Sequence, residues 1–117
     1  MEQVCVNNLR VMSLYEIEKA NSGHPGMALS SAPILYSLYA NVMNYSPLDD
    51  KNIFRDRFVM SAGHGSSLLY ATLNMFGFDI SIDDLKKFRK FGSIASGHPE
   101  TNKTCGVDCS TGPLGQG

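Results

Sequence analysis

The sequence has almost no net charge, few cysteines and no long apolar run, and each shortage removes a class of function. Ten basic against eleven acidic side chains leave a formal charge of -1, so no summed field steers the chain towards nucleic acid or a membrane surface. The expected partners are small molecules or protein. The three cysteines, Cys5, Cys105 and Cys109, are an odd number. No charged-then-apolar segment at the start resembles a signal peptide, and together these point to a reduced, cytoplasmic setting. Apolar stretches are broken by serine, asparagine or glycine well short of a bilayer's thickness, which argues against a membrane span. Internal repeats and low-complexity tracts are missing as well. What is there, 117 residues at 43% hydrophobic and 18% charged, has the size of one soluble domain with a modest core.

The stretch Phe58-Val59-Met60-Ser61-Ala62-Gly63-His64-Gly65-Ser66-Ser67-Leu68-Leu69 organises the rest. An apolar run breaks at Gly-His-Gly and resumes at helical spacing, which predicts strand, tight loop and helix. In an open α/β sheet, ligands sit beyond the carboxyl ends of such strands, where glycine admits close backbone approach and helix N-termini attract anions. His64 therefore stands where a phosphate would.

Upstream, Val4 to Ala20 carries no glycine or proline and predicts a helix with apolar residues on several sides. Such a helix is expected in an interface or under a second domain. Asn21-Ser22-Gly23-His24-Pro25-Gly26 reads as the loop that ends it. Ser30 and Ser31 can cap a second helix with Pro33 in its first turn and an apolar stripe through Ile34, Leu35, Leu38, Tyr39, Val42 and Met43. Ser46 to Asp50 is a turn, and Arg55-Asp56-Arg57 reads as a surface connection. Beyond the Gly-His-Gly loop, Leu68 to Phe76 forms a helix ended by Gly77, and Ser81 with Asp84 looks like a capping box opening a helix through Arg89. Phe76, Phe88, Phe91 and the methionines are read as core. From Gly92 onward there is no periodicity for over twenty residues, and long structureless loops in compact domains tend to be functional. The sequence stops after a glycine-rich loop where a helix is expected, so it reads as the front part of something longer.

All three histidines, His24, His64 and His98, follow a glycine, and His24 and His98 both lie in Gly-His-Pro. One loop histidine is most simply a turn residue; three in the same setting favour ligand contact, since imidazole titrates near neutrality and can give or accept a proton at oxygen. A zinc module using His98, Cys105 and Cys109 is the competing reading, although structural zinc usually takes four ligands. A nucleophilic thiol is poorly supported, since only Lys103 stands near Cys105 and Cys109 as a cation. Thr111-Gly112-Pro113-Leu114-Gly115-Gln116-Gly117 is neither a dinucleotide fingerprint nor a Walker loop, and by itself says only that backbone approaches something.

Taken together, Ser22-Gly23-His24-Pro25-Gly26, Arg55-Asp56-Arg57-Phe58-Val59-Met60-Ser61 with Gly63-His64-Gly65-Ser66, Gly97-His98-Pro99-Glu100 and Thr111 to Gly117 resemble the amino-terminal part of transketolases, in order and approximate spacing. Dihydroxyacetone synthase shares much of the set. The resemblance implies an α/β fold, with residues 1–117 as the helix-rich amino-terminal part of a parallel-sheet thiamine-diphosphate domain, incomplete at its C-terminal end. It implies transfer of a two-carbon ketol unit from a ketose phosphate to an aldose phosphate, in the pentose phosphate pathway, by a dimer that holds thiamine diphosphate between subunits. On this resemblance His64 contacts the cofactor diphosphate, Gly112, Pro113 and Leu114 pass the thiamine, and His24 and His98 face substrate oxygens as catalytic and substrate-binding groups. The cofactor is the electron sink, which leaves proton transfer and charge stabilisation at oxygen to the protein.

The family's divalent metal, magnesium or calcium, is held by a Gly-Asp-Gly segment and a later asparagine that these residues do not include. Its activating glutamate belongs to the second domain. Met27-Ala28-Leu29-Ser30 also differs from the commoner family wording. The isolated chain is accordingly expected to be inactive alone. The alternatives are a non-catalytic piece or a subunit needing a complementary chain.

Overall fold

Ser66 to Leu73 are buried without exception, and the other elements are arranged around them. The structure is a computed structural model and describes residues 1–113. In chain order it contains α1 (Glu2–Ala20), α2 (Pro25–Ser30), α3 (Ala32–Ser37) running into a π-helical turn (Leu38–Val42), a 3-10 turn (Gly63–Gly65), α4 (Ser66–Met75) and α5 (Ile82–Leu85).

α4 can be buried all round because its polar side chains are satisfied within the chain. Thr72 Oγ1 donates to Leu68 O at 2.7 Å, and Ser66 Oγ donates to Gly97 O at 2.7 Å. Leu68, Leu69 and Leu73 then join Leu9, Leu35, Leu85 and Phe88 in one core. α1 packs on α4 and buries Val6, Leu9, Ser13 and Glu16, a stripe at helical spacing that is half polar. Val4, Val11 and Tyr15 lie outside, in keeping with a helix apolar on several sides. At its C-terminus, Asn21 takes the left-handed conformation (φ 50°, ψ 33°). Its N–H reaches Glu18 O, and Ser22 N–H reaches Ile17 O, so the last carbonyls are capped as the Asn-Ser-Gly wording predicts. The capping box at α5 is also present, Asp84 N–H donating to Ser81 Oγ at 3.2 Å and Ser81 N–H to Asp84 Oδ2 at 2.9 Å.

Several expectations change. Phe58–Met60 forms no strand, because a strand exists by pairing, and the N–H groups of these three residues find no hydrogen-bond partner among the described residues. Its place is fixed instead by side chains, the Phe58 ring lying 5.8 Å from Tyr39, which also meets Tyr45, Phe76 and Phe78. The loop expected through Gly26 already turns helical at Pro25. The helix expected from Ser31 to Met43 passes into the π turn after Ser37, closed by Met43 N–H to Leu38 O, and its Ile34 and Val42 are exposed. The α5 helix stops at Leu85 because Arg89 turns left-handed (φ 59°), its N–H donating to Ala95 O. That reversal, followed by Gly92 at φ 76°, leaves Phe91 fully exposed rather than in the core. Met1 is likewise outside the core.

Arg55 is not a surface residue either. Its side chain is 6% exposed and forms a bidentate pair with Asp108, clamping the connection before Phe58 to the last loop. Among the described residues no helix is long and apolar enough to cross a membrane.

Candidate functional site

The loop that ends α1 delivers the first histidine. Gly23 sits at φ 154°, where a Cβ would come 2.6 Å from Ile17 Cγ1, so a side chain there meets both backbone strain and the end of α1. His24 is extended (φ -123°, ψ 94°) because the residue before a proline is steered out of the helical region. Pro25 then opens α2. The His24 ring projects to the His64 ring, centroids 5.1 Å apart and edge-on at 60°.

His64 occupies the 3-10 turn that leads into α4, between two glycines that are both pressed by neighbours. A Cβ on Gly65 would lie 3.0 Å from Met27 Sδ, and one on Gly63 would lie 2.7 Å from Gly112 N. Gly112 in turn stands at φ 149°, where a Cβ would fall 2.9 Å from His98 Cγ. The contacts His24 to His64, Gly63 to Gly112 and Gly112 to His98 therefore run without a gap. All three sequence-predicted histidines come together through them, His64 half-buried and the other two exposed.

Hydrogen bonds hold the strip from beneath. Tyr70 on α4 donates to His98 O at 3.4 Å, Thr111 N–H donates to Pro99 O at 3.2 Å, and Ser66 grips Gly97 as above. Burial pushes the Tyr70 phenol up, so it stays a neutral donor. Across the strip, Arg89 Nη1 donates to Ser22 Oγ at 2.6 Å and Nη2 lies 3.4 Å from His24 Nδ1. Among the described residues, the side chains bonded to or stacked on the histidine rings are an arginine and another imidazole, with no carboxylate. Donors of this kind suit an anion or a polyhydroxylated ligand.

A diphosphate fits the strip at its His64 end. Two glycine backbones meet there with no room for a Cβ, the positive end of the ten-residue α4 lies beside them, and the buried Thr111 Oγ1 has no partner among the described residues. Close backbone approach plus a helix N-terminus is the usual anion cradle. Pro113 is exposed, and Leu114 lies outside the described residues.

No group of three or more His, Cys, Asp or Glu side chains able to hold a metal is found among the described residues. His98, Cys105 and Cys109 are not gathered: Cys109 is exposed and its thiol turns to Ser110 O. Burial and the neighbouring Asp50 push the Cys105 thiol up, which also counts against a nucleophile.

Three features escaped sequence reasoning. Arg89 reads as part of a helix that ends before it, and nothing in its neighbourhood of sequence signals a bond 65 residues away. Arg55 and Asp108 meet across 53 positions. Glu16 is fully buried, neither carboxylate oxygen has a partner among the described residues, and burial pushes its pKa well above the ordinary 4.5; its spacing with Val6, Leu9 and Ser13 is the available signal.

Comparison with known proteins extends over the whole sequence. The family model described as "Transketolase, thiamine diphosphate binding domain" matches residues 1–117. The chain is 56% identical over 117 residues to the transketolase of Bacillus subtilis, covering all of this chain and 18% of that protein. Transketolase from Leishmania mexicana superposes with a TM-score of 0.97 at 44% identity, covering 100% of this chain and 18% of the other. A Pichia stipitis transketolase solved with sedoheptulose-7-phosphate superposes at 0.96, also at 44% identity, covering 99% and 17%. The chain thus spans under a fifth of the length of these relatives.

Proposed function

The chain belongs to the transketolase family, and from that premise we propose that it provides the diphosphate-binding and substrate-facing loops of a thiamine-diphosphate-dependent enzyme that transfers a two-carbon ketol unit between sugar phosphates. The observation that carries this reading is the convergence of the three glycine-preceded histidines, with His24 and His64 rings 5.1 Å apart and His98 reached through Gly63 and Gly112. The donor is a ketose phosphate and the acceptor an aldose phosphate, placing the activity in pentose phosphate and carbohydrate metabolism. Residues 1–117 form the amino-terminal part of the cofactor domain.

Each residue has a share in the chemistry. His64 donates an imidazole N–H to the diphosphate, while the Gly112, Pro113 and Leu114 loop passes the thiamine with backbone groups. Thiamine diphosphate, when bound, supplies the electron sink for carbon–carbon cleavage. His24 and His98, exposed on the same strip, hold and move protons at the substrate's hydroxyl and carbonyl oxygens, a task that contributes about a hundredfold or more to rate.

The remaining machinery follows from the same reading. A divalent metal, magnesium or calcium, takes its ligands outside this chain, in accord with the scattered acidic side chains here. Other transketolase domains and a second subunit of a homodimer complete the site, and the exposed Val4, Val11 and Tyr15 of α1 suit such a cover. Phe58–Met60 supplies a strand to a parallel sheet of the complete domain, its unpaired N–H groups being available for that ladder. Three cysteines outside any disulfide agree with a reduced, cytoplasmic setting.

The test is ketol transfer from a ketose phosphate to an aldose phosphate by the complete protein, with and without thiamine diphosphate. Activity that requires the cofactor is expected. Undiminished turnover after its removal would overturn the reading.

A further inference from the structure

Arg89 reaches both Gly-His-Pro loops with a single side chain. Its guanidinium donates through Nη1 to Ser22 Oγ at 2.6 Å and places Nη2 3.4 Å from His24 Nδ1. On its other side, a Cβ added to Gly97 would lie 3.3 Å from Arg89 Nε, so the second loop packs closely against the guanidinium stem. The guanidinium carbon also lies 5.4 Å from the Phe88 ring centroid. Its backbone adopts φ 59°, an uncommon conformation for a non-glycine residue, and is held there by the bond from its N–H to Ala95 O at 2.9 Å. A residue kept in a strained conformation with its planar head wedged between two functional loops has a fixed direction of donation.

That direction has a chemical consequence at His24. Guanidinium carries five N–H donors and no acceptor, and it does not lose its proton in proteins. The partner nitrogen must therefore accept, which requires Nδ1 without a hydrogen and puts the proton of the neutral ring on Nε2.

We propose that Arg89 is a positioning residue that holds His24 as the Nε2–H tautomer, so that the ring presents a hydrogen-bond donor to a substrate oxygen. The inference rests on the reading of His24 as a substrate-facing group, and deepens it by assigning which nitrogen does the work. Ser22 keeps the guanidinium in register, and Gly97 couples its position to the loop carrying His98. Arg89 touches neither substrate nor cofactor in this account; it acts through His24.

The experiment uses the complete protein with isotopically labelled histidine, the His24 resonances being assigned by comparison with His24→Ala. Nitrogen-edited NMR of the unsubstituted protein is expected to show Nδ1 as the bare, accepting nitrogen and Nε2 as protonated. Finding the proton on Nδ1 overturns the proposal, whatever the activity of any variant. Arg89→Met is expected to mix or reverse the tautomers and to lower kcat about tenfold to a hundredfold, the effect of losing one charge-assisted hydrogen bond, with KM moving less. In the His24→Ala background the same substitution is expected to cost nothing further; full additivity of the two losses would contradict action through His24. Arg89→Lys, which keeps the charge but not the fork, guards against a folding defect, and is expected to restore the tautomer only in part. Unchanged turnover in His24→Ala, together with the Nε2–H tautomer in the unsubstituted protein, would remove the substrate role of His24 and leave the Arg89 bond standing, so the two failures are distinguishable.

Discussion

The two Gly-His-Pro loops share their wording and differ in how they are held. At His24 the support is a side chain: Arg89 faces its Nδ1, and the neighbouring ring of His64 leans on it edge-on. At His98 it is the main chain that is held: the Tyr70 hydroxyl donates to its carbonyl, the Ser66 hydroxyl to that of Gly97, and Gly112 packs against the ring itself. Their glycines differ too, Gly23 lying at φ 154° while Gly97 needs only room beside Arg89. The same tripeptide therefore yields one histidine whose ring faces a cation and another whose main chain is anchored by neighbouring hydroxyls.

The largest effects should come from removing the rings. His24→Ala and His98→Ala in the complete protein are each expected to lower turnover by about a hundredfold to ten-thousandfold, measured by steady-state kinetics with saturating cofactor. Retained turnover in either would remove that loop from the chemistry. Replacing the glycines should separate the loops. Gly112→Ala puts a Cβ at φ 149° against the His98 ring, and is expected to destabilise by about 1–3 kcal/mol in denaturant titration, with any kinetic loss following His98→Ala. Gly23→Ala meets the stiff, β-branched base of Ile17 instead, and its cost is expected in the same range with the loss following His24→Ala. Identical kinetic signatures for the two substitutions would break the distinction.

A smaller effect is expected beneath the His98 loop. Glu16 contributes to the charge environment of Tyr70, which bonds that loop. With its folded pKa raised by burial alone, the carboxyl binds its proton more tightly in the folded chain than in the unfolded one. Its contribution to stability is fully present below about the ordinary 4.5 and is lost as pH rises towards the folded value, by up to about 1.4 kcal/mol per pH unit. Glu16→Gln should flatten that slope in denaturant titrations across pH. A slope unchanged by the substitution would contradict the buried, unpaired carboxyl.

How far these features could be read in the sequence depends on the range of the interactions that make them. Local rules were sufficient for the left-handed cap at Asn21, the capping box at Ser81 and Asp84, and the helix that follows Gly65, because each is decided within a few residues. The histidines were legible as a set because glycine before each is itself a local requirement. The resemblance in the four motifs supplied the roles that spacing alone left open. What was illegible depends on distant partners. Phe58–Met60 reads as a strand from its composition, yet pairing decides strands and no neighbour is among the described residues. Phe91 looks apolar enough for a core until the left turn at Arg89 swings it out. Arg55 reads as a surface charge until Asp108 reaches it from the last loop.

The central claim is a division of labour, with His64 holding cofactor while His24 and His98 act on substrate, and thiamine diphosphate titration of His64→Ala in the complete protein tests it most directly. The account predicts an affinity about tenfold to a hundredfold weaker, the worth of one hydrogen bond to a charged group, with turnover largely recovered once cofactor saturates. Unchanged cofactor affinity accompanied by lost turnover would contradict it.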